Sequence, residues 1–120
     1  MKVLIVDDSA SMRMIVKRTL KQAGFTNLDF CEAENGKDAL TVIDDERPTL
    51  ILCDWNMPVM NGMELLKALR EAGNSAKFGF VTTESTAPMR AEAREAGAQF
   101  LIAKPFTPES FEKSLKRVIG

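Results

Sequence analysis

Histidine is missing from this 120-residue chain. Without an imidazole the chain cannot form a Ser-His-Asp or Cys-His catalytic site, a histidine metal site or a phosphohistidine. Its two cysteines, Cys31 and Cys53, are too few for a zinc site made of cysteines alone or for a disulfide framework. Cys53 lies in an apolar run and is expected to be a buried core thiol.

Long apolar runs and an excess of one charge are missing as well. No segment approaches the ~18 consecutive apolar residues that span a membrane, and no leader-like segment precedes the first apolar run. The 16 lysines and arginines balance 17 aspartates and glutamates, so the positive excess of a nucleic-acid binder is missing. We therefore expect a cytoplasmic protein with neither a membrane nor a nucleic acid as partner.

Short apolar runs alternate along the chain with segments of helical periodicity. The runs predict strands at residues 3–6, 28–33, 50–53, 77–81 and 100–103, and helices are expected at about residues 9–24, 36–43, 61–73, 88–96 and 108–119. Five strand–helix pairs with short connections predict an α/β fold, a doubly wound parallel sheet with helices on both faces. No repeat or linker interrupts residues 1–120, so we expect one domain, and nothing requires more than a monomer.

Apolar periodicity also predicts what the helices bury. The first helix carries one stripe with helical spacing, formed by Met12, Ile15, Val16, Thr19, Leu20 and Ala23. The methionines at positions 12, 14, 57, 60, 63 and 89 are expected to serve packing rather than recognition.

Polar side chains follow four of the five predicted strands. Asp7 and Asp8 follow the first strand, Asp54 the third, Thr82 the fourth and Lys104 the fifth. The carboxyl ends of parallel strands meet at one edge of a sheet, where open α/β folds bind their ligands. We therefore expect these groups to converge.

Three carboxylates and one ammonium leave a charge of about −2, which favours a hard divalent cation such as Mg²⁺. A carboxylate can act as a nucleophile and form an aspartyl phosphate, and Asp54 is the best candidate because it stands alone after its strand. Asp7 and Asp8 suit a metal, Lys104 offers a point charge and Thr82 a hydroxyl to phosphoryl oxygens. Each residue also has a plain interpretation as a helix cap, a turn or a solvated side chain.

Four motifs resemble one known family. They are Val6-Asp7-Asp8-Ser9, the run from Asp54 through Lys67, Val81-Thr82 and Lys104-Pro105-Phe106-Thr107. Over essentially its whole length the chain resembles response-regulator receiver domains, and most closely the single-domain chemotaxis regulators of the CheY type.

The resemblance implies a sheet in the order 2-1-3-4-5 and a two-component signalling function. Asp54 would accept a phosphoryl group from a phosphohistidine on a partner histidine kinase. Mg²⁺ would be bound by the side chains of Asp8 and Asp54, by the backbone carbonyl of Asn56 and, through water, by Asp7.

The resemblance also assigns roles around the phosphoryl group. Thr82 and Lys104 would hold its oxygens and move on activation, and the Lys104–Pro105 bond would be cis. Asn56 and Glu84 match the positions that tune autodephosphorylation. Leu101 stands where the family often has an aromatic switch residue, and Phe100 cannot replace it because adjacent strand residues face opposite sides.

The output of such a protein would be a binding surface. The resemblance places it on the fourth helix, fifth strand and fifth helix, with the flagellar motor switch as the downstream partner. Three alternatives stay open: a phosphorelay shuttle receiver, a phosphorylation-independent interaction module with a receiver fold, and a small-molecule phosphatase. The last is disfavoured because its usual Asp-x-Asp is replaced by Asp7-Asp8-Ser9.

Overall fold

A computed structural model describes residues 1–119 and contains five strands and five helices in alternation. The strands are β1 (Lys2–Val6), β2 (Asp29–Ala33), β3 (Leu50–Cys53), β4 (Lys77–Thr82) and β5 (Phe100–Ala103). The helices are α1 (Ala10–Gln22), α2 (Gly36–Glu46), α3 (Gly62–Glu71), α4 (Ala87–Glu95) and α5 (Pro108–Ile119). All strand pairs are parallel and the sheet order is β2-β1-β3-β4-β5, which confirms the predicted fold and order.

Helices cover both faces of the sheet. One face packs against α2, α3 and α4 through a cluster that includes Leu4, Leu66 and Phe80, and the other packs against α1 and α5 through a cluster that includes Val3, Leu20 and Phe111. The central strands β1 and β3 are therefore apolar without alternation, as expected for strands covered on both faces. No helix within residues 1–119 is both long and apolar enough to cross a membrane.

Local signals in the sequence fix most helix ends. The Ser9 hydroxyl accepts from the Met12 amide at the start of α1, and Asn61 and Glu64 form a capping box at the start of α3. Gly24 and Gly73, just beyond the ends of α1 and α3, have φ values of +97° and +81°. Glycine adopts this left-handed conformation without the steric cost of a Cβ.

The predicted stripe of α1 is wrong at one residue. Val16, Thr19 and Leu20 are buried, but Ile15 is 41% exposed. At 100° per residue Ile15 lies about 85° from the centre of the stripe, so it falls beyond the contact with the sheet. Met14 is 58% exposed, which also contradicts the expectation that this methionine serves packing.

Candidate functional site

The predicted charged groups converge at the carboxyl edge of the sheet. Asp7, Asp8 and Asp54 each bring one carboxylate oxygen within 4.8 Å of the others. The Lys104 ammonium donates to Asp7 Oδ2 at 3.0 Å and to Asp54 Oδ2 at 3.1 Å. Asp7 is buried, Asp54 is half-buried and Asp8 is exposed, so the cluster opens to solvent on one side. We call these four residues the acidic cluster.

Backbone pairing beyond the strand ends holds these residues in place. The Asp54 amide donates to the Val6 carbonyl at 2.9 Å, and the Asp7 amide donates to the Ala33 carbonyl at 3.1 Å. The Lys104 amide donates to the Thr82 carbonyl at 2.8 Å. The sheet ladder thus continues one residue past β1, β3 and β5, and it aligns side chains that lie up to 97 positions apart in the sequence.

Electrostatics keep Lys104 charged. Burial alone would lower the pKa of its ammonium, but the hydrogen bond to Asp7 and the charges of Asp54 and Asp7 outweigh burial and raise that pKa above its usual value. Three carboxylates and one ammonium therefore leave a charge of about −2 at neutral pH. Carboxylate oxygens at this charge and spacing form a donor set that suits Mg²⁺.

Thr82 ends β4 with a fully buried side chain. Its hydroxyl accepts from the Glu84 amide at 3.4 Å, a long hydrogen bond within the turn that leads towards α4. Thr82 is thus joined to the acidic cluster through its carbonyl and Lys104, while its hydroxyl is engaged in the turn. The Lys104–Pro105 peptide bond that follows β5 is cis.

Asn56 and Glu84 lie on neighbouring loops and contact each other. The Asn56 amide Nδ2 donates to Glu84 Oε1 at 2.6 Å, and both side chains are exposed. The sequence resemblance named the two residues but did not predict this bond. Their positions carried a signal, because Asn56 lies three residues past the end of β3 and Glu84 two residues past the end of the adjacent strand β4.

Two supporting residues were missed by the sequence analysis. Gly62, at the start of α3, leaves no room for a side chain, because a Cβ there would lie 2.3 Å from the Asp54 carbonyl oxygen. Arg13 Nη1 donates to the Asp7 carbonyl at 2.6 Å, and its Nε donates to Glu32 Oε1 at 2.7 Å. Neither a glycine nor an arginine indicates such a contact in the sequence, because the contact depends on how α1 and α3 approach the strand ends.

Leu101 lies on the α4-covered face of the sheet, in the same apolar cluster as Trp55 and Phe80. Phe100 packs on the opposite face, as the alternation along β5 predicts. The Leu101 carbonyl accepts from Arg90 Nη1 at 3.1 Å, and Arg90 Nε donates to the Ser85 carbonyl at 3.3 Å. Arg90 thus links β5 to the loop that follows Thr82.

Comparison with known proteins gives one consistent answer. The model of the response regulator receiver domain matches residues 3–116. The chemotaxis protein CheY1 of Helicobacter pylori (strain J99) is 42% identical over 124 residues, which cover 100% of this chain and 98% of the relative. A chemotaxis protein CheY homolog of Campylobacter jejuni is 40% identical over 123 residues, covering 100% of this chain and 93% of the relative.

A solved structure agrees with these relatives. The chemotaxis response regulator CheY4 of Vibrio cholerae has a TM-score of 0.84 and 38% sequence identity, with 98% of each chain covered. Receiver domains are signalling proteins that are phosphorylated on an aspartate, and their acidic cluster binds Mg²⁺. On the evidence of its fold, its acidic cluster and these matches, the chain belongs to the response regulator receiver family.

Proposed function

We propose that this protein is a chemotaxis response regulator that accepts a phosphoryl group on Asp54 from a partner histidine kinase. The observation that carries the proposal is the position of the Lys104 ammonium, which contacts Asp7, just after β1, at 3.0 Å and Asp54, just after β3, at 3.1 Å. A fixed cation beside a half-buried carboxylate is the arrangement that an in-line phosphoryl transfer needs. We extend the proposal to residues 1–120 as one monomeric, cytoplasmic receiver unit.

Asp8 and Asp54, the Asn56 carbonyl and, through water, Asp7 are proposed to hold Mg²⁺. When bound, the ion supplies the positive charge that lets a carboxylate approach a phosphoryl group. The donor set fits because three carboxylate oxygens already lie within 4.8 Å of one another and carry more charge than Lys104 neutralises.

The chain's own residues perform the transfer. An Asp54 oxygen forms the new bond to phosphorus as the bond to the kinase imidazole nitrogen breaks, and that nitrogen keeps the electron pair. The Lys104 ammonium turns from Asp54 to a phosphoryl oxygen, and the Thr82 hydroxyl leaves the turn to donate to another. Reversal of the signal is hydrolysis of the aspartyl phosphate, in which Asn56 and Glu84 would govern the approach of water. The protein therefore catalyses only its own phosphorylation and dephosphorylation.

The output surface is proposed to be the face formed by α4, β5 and α5. Arg90, Arg94 and Arg117 line a pocket of about 320 Å³ on this face, and no carboxylate lines it. Arg90 connects the pocket to the loop after Thr82. The hydrogen bonds that Arg90 donates to the carbonyls of Ser85 and Leu101 would carry a shift of Thr82 to the surface. The downstream partner is proposed to be the flagellar motor switch, which would bind the phosphorylated state and reciprocally favour it.

Intact mass measurement of the protein with Mg²⁺ and acetyl phosphate tests the acceptor. We expect one phosphoryl adduct that disappears when Mg²⁺ is chelated and in Asp54→Asn. Asp45→Asn, an exposed aspartate on α2 far from the acidic cluster, is the matched control and should keep the adduct. An adduct that persists in Asp54→Asn, or no adduct with any donor, would contradict the proposal and favour a phosphorylation-independent module.

A second measurement separates chemotaxis from a phosphorelay shuttle. The phosphorylated protein should bind the motor switch more tightly than the unphosphorylated protein. Transfer of the group onward to another histidine protein, without motor-switch binding, would assign the shuttle function instead.

A further inference from the structure

A groove of about 470 Å³ lies between α1 and the segment that leads into β2, which we call the α1–β2 groove. β2 is at the opposite edge of the sheet from β5, so the groove opens at the other edge of the sheet from the α4–β5–α5 face. None of its lining residues belongs to the acidic cluster or to the residues proposed to handle the phosphoryl group. The function proposed above leaves this groove unused.

The floor of the α1–β2 groove is apolar. Phe25, Leu28 and Phe30 pack on the core beneath α1 and α5 but are only partly buried, and all three line the groove. Met14 lines it too and is 58% exposed. Single exposed apolar side chains are ordinary, but several that share one concavity mark an interaction site.

The rim of the groove is positively charged. α1 contains four basic residues and no acidic one, although the whole chain has a net charge of −1. Lys17 is paired with Glu32 and lies 5.8 Å from the centre of the Phe30 ring. Arg18 and Lys21 are exposed, and neither forms an ion pair within residues 1–119. No carboxylate lines the groove, so its charge is complementary to an anionic ligand.

We propose that the α1–β2 groove binds an acidic, amphipathic peptide segment of a partner protein. An aromatic or branched aliphatic side chain of the segment packs on Phe25, Leu28 and Phe30, and flanking carboxylates pair with Arg18 and Lys21. The apolar side chains line a concave groove of about 470 Å³, and Lys17 lies over the Phe30 ring, so a single peptide side chain fits the groove better than a flat lipid surface does. A partner bound here leaves the α4–β5–α5 face free, so both can be occupied at once.

Synthetic peptides test this directly with the full chain. The probe is a fluorescent amphipathic helix with glutamates flanking a leucine and phenylalanine stripe, and the matched peptides replace the glutamates by lysine or the apolar stripe by serine. We expect binding of the first peptide only, weakened by added salt. Backbone amide shifts in the NMR spectrum should change in α1 and in residues 25–30.

Matched charge reversals test the site. Arg18→Glu with Lys21→Glu should weaken binding at least tenfold, while Lys37→Glu with Lys67→Glu, an equal charge change on exposed residues of α2 and α3, should stay within twofold of the parent. Phosphorylation by acetyl phosphate should proceed in both variants, which shows that they are folded. Equal loss of peptide binding in the two double variants, or NMR shift changes confined to α4, β5 and α5, would overturn the proposal. So would Arg18- and Lys21-dependent binding to anionic phospholipid vesicles without binding of the peptide, which would assign the groove to a lipid.

Discussion

The acidic cluster and the region around Thr82 and Leu101 are specified in different ways. In the acidic cluster, charged atoms meet at 3.0 and 3.1 Å. Around Thr82, the hydroxyl has a single long hydrogen bond of 3.4 Å, and Leu101 contributes only a branched aliphatic side chain. The first region depends on charge at a few atoms and the second on shape and packing. Substitutions should therefore affect the phosphorylation reaction at the acidic cluster differently from the transmission of the signal through Thr82 and Leu101.

Lys104→Met should have the largest effect on the chemistry. Loss of the ammonium removes a preorganised cation from the phosphoryl oxygens, and removal of one such group lowers rates about 10²–10³-fold. The measurement is the rate of adduct formation with acetyl phosphate and Mg²⁺. Lys113→Met, an exposed lysine on α5, is the control. A rate of adduct formation in Lys104→Met within a few-fold of that of the parent protein would contradict the proposed difference between the two regions.

Leu101→Ala should have the opposite profile. Loss of a buried leucine costs roughly 2–3 kcal/mol of unfolding free energy, at the low end of the usual range because the residue lies on an edge strand. Urea unfolding measures this cost, and the phosphorylation rate of the folded protein should stay within about twofold. Leu101→Met, which preserves volume, should cost less than about 1.5 kcal/mol. A phosphorylation rate that falls in step with stability would show that packing at Leu101 also sets the chemistry.

Gly62→Ala should affect both regions, because Gly62 lies where they meet. The new Cβ would lie 2.3 Å from the Asp54 carbonyl oxygen and 2.9 Å from the Phe80 ring. Overpacking of this kind costs about 1–3 kcal/mol, and the displaced Asp54 should also slow phosphorylation. Gly24→Ala is the control, since its φ of +97° imposes strain but no atom lies within 4 Å of the new Cβ. Equal phosphorylation rates in the two variants would show that Asp54 tolerates the shift.

Asn56→Ala should shorten the life of the phosphoryl group with little change in stability. Exposed substitutions usually alter the unfolding free energy by no more than ~0.5 kcal/mol, and the proposed metal ligand at this position is the backbone carbonyl. Without the Asn56–Glu84 bridge, water reaches Asp54 more easily. The decay of the adduct measures the effect, and Glu84→Gln, which retains the acceptor oxygen, should behave as the parent. An unchanged rate of adduct decay would show that the loops of Asn56 and Glu84 do not control hydrolysis.

Glu32→Gln should have the smallest effect. The hydrogen bonds from Lys17 and then Arg13 lower the pKa of Glu32 below its ordinary value of 4.5. A lowered pKa stabilises the fold above the unfolded-state pKa, and this contribution is lost as the pH falls through the folded-state pKa. Because the Glu32 side chain is exposed, we expect a difference in unfolding free energy below about 1 kcal/mol at neutral pH that vanishes in acid. Urea unfolding across that range measures it, and a difference that grows in acid would contradict the assignment.

The sequence predicted the acidic cluster better than the features that depend on packing. The convergence of Asp7, Asp54 and Lys104 followed from strand ends alone, because parallel strands place their carboxyl ends at one edge. The helix starts near Ser9 and Asn61 were predicted as well, and in the structure both side chains cap their helices through contacts within a few residues. Such signals are local or topological, and both can be read from a single chain.

Other features depended on distances that no pattern encodes. Periodicity gave the buried side of α1 but not the width of its contact, so Ile15 was misplaced. The Asn56–Glu84 bond and the Arg13 contact with Asp7 arise from the approach of separate loops and helices. The α1–β2 groove was invisible for the same reason, since its floor and rim come from segments whose packing sets the gap between them.

The spread of the acidic cluster along the chain has a consequence for biosynthesis. Asp7 leaves the ribosome early, whereas Lys104 follows 97 residues later, after all five strands. A chain that ends before β5 thus carries Asp54 without the Lys104 ammonium that contacts it. A product truncated before β5 lacks the complete acidic cluster, so we expect it to give no signal.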